Sequence, residues 1–91
     1  MADNNSIRFQ VLVKHKRGLH LRCASNLAKI ALSYDAKITL SKGRKTVDIS
    51  SPLDIVTLSA SPGTTLTATI SGKEASSAAE ALTKFFSNPD E

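Results

Sequence analysis

Along this chain the apolar residues switch back and forth between a spacing of two and one of about 3.6, the periods of strand and helix. Ile7, Phe9, Val11 and Val13 alternate with Arg8, Gln10 and Lys14, which predicts a first strand, with Leu12 breaking the polar face. Ala24, Leu27, Ala28 and Ala31 then follow i, i+3, i+4, i+7, with Ile30 widening the stripe, so Leu21 to Leu32 should be an amphipathic helix. Ala36, Ile38 and Leu40 alternate with Lys37, Thr39 and Ser41, and the alternation resumes at Thr46 to Ile49 after Lys42-Gly43-Arg44, the pattern of a hairpin. Ser51-Pro52-Leu53-Asp54 has the chemistry of a helix start, with serine as cap, proline at the first helical position and an acid in the first turn. That helix should be short, ending near Leu58. Ser61-Pro62-Gly63 is a turn, Leu66, Ala68 and Ile70 mark a fourth strand with a threonine-rich opposite face, and Ala75, Ala78, Ala79, Leu82 and Phe86 mark a last helix ending before Asn88-Pro89.

The succession strand, helix, strand, strand, helix, strand, helix predicts a two-layer α/β (α+β) open-faced sandwich, βαββαβα. A four-stranded, mostly antiparallel sheet carries three helices on one face and turns the other to water. A ferredoxin-like split pattern shares the first six elements, so the order of strands in the sheet stays open. Residues 1–91 fit one domain, with 1–5 and 88–91 as flexible ends. A domain of this length buries about 60–65% of its unfolded-chain surface, enough for one modest core and no deep cleft. Small carriers and binding modules suit that size better than independent multi-step enzymes.

Twelve Lys and Arg against eight Asp and Glu leave a net charge of +4, and Lys14, Lys16, Arg17 and Arg22 gather around His15 and His20. An acidic partner surface is implied. A nucleic-acid-binding module is the rival from another class. The chain offers only Phe9, Tyr34, Phe85 and Phe86 as aromatics, and Phe9 and Phe86 fall in core stripes, so a base-stacking platform is poorly supplied and no nucleic acid is expected. The single cysteine, Cys23, makes no intramolecular disulfide. The N-terminus has no apolar signal core and no stretch approaches transmembrane length, so a cytoplasmic monomer without membrane insertion is the expectation.

Gly18-Leu19-His20-Leu21-Arg22 concentrates the chemistry. His20 falls at the mouth of the first helix, where unpaired backbone N–H groups and the positive end of the helix dipole favour an anion, including a phosphate on the histidine itself. His15, at the end of the first strand, is expected to have no direct chemical role. His15, His20 and Cys23 make an incomplete and oddly spaced ligand set, so neither metal nor cofactor is expected. Cys23 can be a small helix-packing residue or, beside Arg22 at a helix N-terminus, a redox-sensitive thiol; packing is the simpler role.

These residues carry a resemblance. Gly18 to Arg22 with the Ala24/Leu27/Ala28 stripe resembles the active-site motif of the HPr family, the histidine-containing phosphocarriers of the bacterial phosphotransferase system. Thr46-Val47, Ser50-Ser51, Leu58, Gly63, Ile70-Ser71-Gly72 and Ala81-Leu82 fall where that family has its hairpin, serine helix, fourth strand and last helix. The resemblance implies that a phosphoryl group originating in phosphoenolpyruvate passes from enzyme I to His20 and on to enzyme IIA proteins. Imidazole serves as both nucleophile and leaving group near neutral pH. Arg22 matches the family arginine, whose planar fork suits phosphate oxygens. By the same analogy Leu19 and Leu21, with Leu53 and Val56 of the middle helix, form an exposed docking patch.

The chain departs from the family pattern in three places. Cys23 stands where a proline normally follows the arginine, Leu21 replaces a small residue, and Pro52 and Asp54 replace an apolar residue and a glycine. Ser51 corresponds to the regulatory serine that an HPr kinase/phosphorylase modifies in some bacteria, but Ser-Pro-x-Asp already explains it as a helix cap, which is the simpler role. A regulatory relative that keeps the fold and the histidine but does not feed sugar transport is the remaining alternative.

Overall fold

The computed structural model describes residues 6–88, so most of the expected flexible ends, 1–5 and 89–91, lies outside the described residues. The strands are β1 (Ile7–Leu12), β2 (Lys37–Lys42), β3 (Lys45–Asp48) and β4 (Thr65–Ser71); the helices are α1 (Leu21–Ser33), α2 (Pro52–Val56) and α3 (Ala75–Ser87). Every element falls where the apolar period places it. Asn88, the one residue of those ends that is described, donates its N–H to the Phe85 carbonyl at 3.3 Å.

The strand order is β1-β4-β2-β3, with every neighbouring pair antiparallel. β4, the last strand in the chain, therefore sits between β1 and β2. Since β1 and β2 both run against β4, they run parallel to one another and α1 is the crossover between them; α2 likewise joins β3 to β4. The two crossovers interlock and leave all helices on one face.

Strict alternation of side chains makes this two-layer arrangement. Val11, Ile38, Leu40, Val47, Leu66, Ala68 and Ile70 point into the core, where they meet Ala24 and Leu27 of α1, Ile55 of α2 and Ala78, Leu82, Phe85 and Phe86 of α3. Phe9 is only half-buried against that core. On the far face Gln10 pairs with Thr67, Thr67 with Ser41, and Ser41 with Thr46, a polar row crossing all four strands.

A helix of five residues is too short to be stable alone, so α2 must be held by what surrounds it. Ile55 and Leu58 anchor it in the core. The carbonyls of the turn that follows it, Thr57 to Ser59, receive lysines from the β2–β3 hairpin. Lys42 Nζ donates to Leu58 O and Ser59 O, both 3.1 Å, and Lys45 Nζ donates to Thr57 O, 3.0 Å. Positive charge at a helix C-terminus also meets the negative end of its dipole.

The loop between β1 and α1 is tied to the segment after α2. Gly63 N–H donates to Val13 O, 2.8 Å, Val13 N–H to Thr64 O, 2.9 Å, and Leu19 N–H to Ala60 O, 2.9 Å. Gly18 makes the closest approach. It has φ +72°, and a Cβ built on it would collide with the Ala60 carbonyl oxygen. Gly18→Ala is therefore expected to cost about 1–3 kcal/mol, from the left-handed backbone and from displacing the 60–61 segment. Urea unfolding checks this: the midpoint should fall with the slope unchanged, and an unchanged midpoint rules out the tight approach.

Candidate functional site

The site is built on the loop that links β1 to α1. His15 ends the first apolar stripe, and its ring is buried against Phe85, centroids 4.9 Å apart, and edge-on to Phe86, 6.2 Å. Its carbonyl accepts the Gly18 N–H at 2.9 Å, closing a turn that contains the exposed Lys16 and Arg17. The two histidines thus differ in surroundings: His15 is a packed anchor, whereas His20 is half-buried where the loop becomes helix.

His20 is the N-cap residue of α1, with extended backbone (φ −83°, ψ 178°) and its carbonyl accepting the Ala24 N–H at 2.9 Å. Its side chain does not cap the helix. The N–H groups of Leu21 and Arg22 have no carbonyl within α1 to bond, and no acidic residue lies in the first turn, so the positive end of the helix is uncompensated by a carboxylate there. The ring is held from one side: His20 Nε2 lies 3.3 Å from the sulfur of the fully buried Cys23, one turn into the helix. Arg22 is exposed at the second helical position, so its guanidinium can reach an anion brought to the helix mouth. Lys14, Lys16 and Arg17 are exposed nearby in sequence.

Of the four residues expected to form an apolar docking patch, three are exposed: Leu21 (55%), Leu53 (70%) and Val56 (37%). Leu19 is not. It is 4% exposed and belongs to the core, because the bond from its N–H to Ala60 O draws the loop onto the body of the protein and turns the side chain inward. The packing of α1 against α2 brings their exposed leucines to the helical side of the molecule.

Ser51 occupies the N-cap position of α2 and its carbonyl accepts the Ile55 N–H at 3.2 Å, but its hydroxyl makes no capping bond. The expectation of a side-chain cap is corrected on that point. Pro52 removes one donor from the first turn, and the Asp54 carboxylate supplies the negative charge that the helix end favours.

Two elements of the site escaped the sequence. The Ala60 carbonyl positions the loop, and no pattern marks a backbone oxygen in a turn. The Cys23–His20 contact was hidden because the spacing of three between them, though visible, does not say which way either side chain turns. A shallow cleft of about 200 Å3 lies elsewhere, between β1 and the end of α3, with Phe9, Leu12, Lys14 and Phe86 among its walls, and neither His20 nor Arg22 lines it. No helix among the described residues is long and apolar enough to cross a membrane. Among the same residues, no three His, Cys, Asp or Glu side chains are grouped to hold a metal ion.

Residues 7–88 match the family model PTS-HPr, described as the phosphorylation site of the phosphotransferase-system HPr component. The phosphocarrier protein NPr of Shewanella violacea is 37% identical over 73 residues, 80% of each chain. The phosphocarrier protein HPr of Xylella fastidiosa is 29% identical over 82 residues, 90% of this chain and 92% of that one. The crystal structure of a Bacillus anthracis HPr superposes with a TM-score of 0.85 at 32% identity, covering 91% of this chain and 99% of the other. A half-buried histidine at a helix mouth, on this sheet order, is thus found in a chain that belongs to the HPr family of phosphotransferase-system phosphocarriers.

Proposed function

We propose that this chain accepts a phosphoryl group on His20 from enzyme I, with phosphoenolpyruvate as the original donor, and passes it to enzyme IIA proteins. The observation that carries the reading is the placement of His20: a half-buried ring at the N-cap of α1, with first-turn N–H groups and Arg22 beside it.

The chemistry asks little of the carrier. The donor's bond to phosphorus breaks with its electron pair returning to the donor, and a lone pair of the His20 imidazole forms the new bond. The transferring group is negatively charged throughout, so catalysis comes from positioning and from charge stabilisation by Arg22 and the helix end. Transfer between two proteins needs no pocket of its own, because the partner covers the site and excludes water. The exposed Leu21, Leu53 and Val56 provide the apolar part of that contact and the basic residues its steering.

A second reading, as a regulatory rather than a sugar-transport carrier, is favoured by one observation: identity to the protein named NPr, 37%, exceeds that to the X. fastidiosa HPr, 29%. The two readings share the chemistry of His20 and differ in the acceptor. Ser51 is a further acceptor for an HPr kinase/phosphorylase. Its hydroxyl is not used by α2, and a phosphate there would add charge beside Leu53 and Asp54.

Incubation with phosphoenolpyruvate and a matched enzyme I should give an acid-labile, base-stable phosphate that His20→Ala abolishes; equal labelling of that variant overturns the assignment. Arg22→Ala should slow labelling roughly ten- to a hundredfold, the range for losing a hydrogen bond to a charged group, with Arg22→Lys between the two. Equal initial rates would remove Arg22 from the mechanism. With ATP and an HPr kinase, an acid-stable phosphate should appear and be lost in Ser51→Ala; its persistence in that variant excludes Ser51. Offering the labelled protein to enzyme IIA domains of sugar and of regulatory systems, then comparing transfer rates, separates the two readings.

A further inference from the structure

The cysteine at position 23 occupies the one place in the site motif where this chain exchanges a residue that cannot hydrogen-bond through its side chain for one that can. Its sulfur is fully buried and lies 3.3 Å from His20 Nε2. Among the described residues the other ring nitrogen, Nδ1, makes no hydrogen bond. The two nitrogens of the acceptor ring are therefore already distinguished before any partner arrives.

A neutral imidazole has one N–H and one lone pair, and only the nitrogen with the lone pair can attack phosphorus. Two arrangements satisfy the sulfur contact. In one, Nε2–H donates to the sulfur and the lone pair is on Nδ1; in the other, the thiol donates to Nε2 and the proton is on Nδ1. Covalent geometry places Nδ1 nearer than Nε2 to the backbone of its own residue, which is the N-cap of α1. The neighbouring N–H groups of Leu21 and Arg22 are donors without an intrahelical acceptor. A protonated Nδ1 would set one more donor among donors, at the positive end of the helix. A bare Nδ1 sets a lone pair there instead.

We propose that Cys23 is a positioning residue for the phosphoacceptor: its sulfur accepts a hydrogen bond from His20 Nε2–H and thereby keeps the lone pair on Nδ1, the nitrogen that takes the phosphoryl group. The inference rests on the carrier reading of His20. In the transfer, the Nδ1 lone pair forms the bond to phosphorus while the electrons of the donor's bond to phosphorus return to the donor. Nε2 keeps its proton throughout, so no base is needed. The ring becomes cationic on transfer, which strengthens the Nε2–H bond to sulfur. The same contact fixes the ring's rotation, since a buried sulfur on a helix cannot follow a ring that turns away.

The test is the tautomer of His20, read from long-range proton–nitrogen NMR spectra of the 15N-labelled protein at a pH where the ring is neutral. The native protein is expected to show a protonated Nε2 and a bare Nδ1. Cys23→Ala should give a mixture of both tautomers, and Cys23→Ser, whose hydroxyl also accepts, should restore the preference. Initial rates of labelling from enzyme I should fall roughly two- to fivefold in Cys23→Ala, as expected for one modest hydrogen bond, and recover in Cys23→Ser. A proton on Nδ1 in the native protein, or a tautomer ratio unchanged in Cys23→Ala, overturns the proposal without touching the carrier reading. A tautomer that follows Cys23 in a native protein that takes no phosphate overturns the carrier reading, and the positioning role with it.

Discussion

The hydrogen bond from Leu19 N–H to the Ala60 carbonyl decides whether the site exists as a site. It joins the loop that opens α1 to the loop that closes α2, two segments supplied by different crossovers. The absence of a Cβ at Gly18 lets the backbones meet, and burial of Leu19 seals the contact against water. Unpaired backbone groups in a dry contact would each cost as much as a lost hydrogen bond, so the approach is determined once the loop packs. His20 inherits its place from that contact: with Leu19 turned in, the next residue is delivered to the helix mouth with its ring half-buried.

The support continues beyond Ala60. The carbonyls just before it, of Thr57, Leu58 and Ser59, are taken by Lys42 and Lys45 from the β2–β3 hairpin. Ser59 itself has a left-handed backbone, φ 52°, at the bend that ends α2. A hairpin at the edge of the sheet therefore steadies the turn on which the histidine loop rests. Individually such exposed lysine bonds are weak. Here three of them converge on three consecutive carbonyls of the turn that ends a helix too short to hold itself.

The fold was legible because apolar period survives averaging over many side chains: β1 with its Ile7/Phe9/Val11 alternation and α1 with Ala24/Leu27/Ala28 needed no tertiary information. Strand order did not follow from pattern, since each strand alternates alike whichever neighbour it takes. The site was legible in its titratable and charged residues, His20 and Arg22, whose positions on a helix mouth follow from local sequence. It failed where orientation is set from afar. Leu19 looked like its exposed neighbour Leu21 because both flank the histidine, and only the Ala60 carbonyl separates them. Ser51 looked like a cap because Ser-Pro-x-Asp has the composition of one, yet a hydroxyl at the right position still has to rotate onto a donor, and here it does not.

The interlocked crossovers also have a consequence in time. Among the described residues β1 is the first strand and β4 the last, yet the two are neighbours in the sheet; the Ala60 carbonyl that seats the histidine loop lies just ahead of β4 in the chain. Closing such distant pairs is the slow part of folding for a topology of this kind. During synthesis, α1 can form its own hydrogen bonds early, with its histidine already in sequence at its start. The platform on which the histidine loop rests is complete only after β4 has emerged. On the proposed carrier reading, competence to be phosphorylated is thus a late property, and a nascent or partly unfolded chain presents the histidine without that platform.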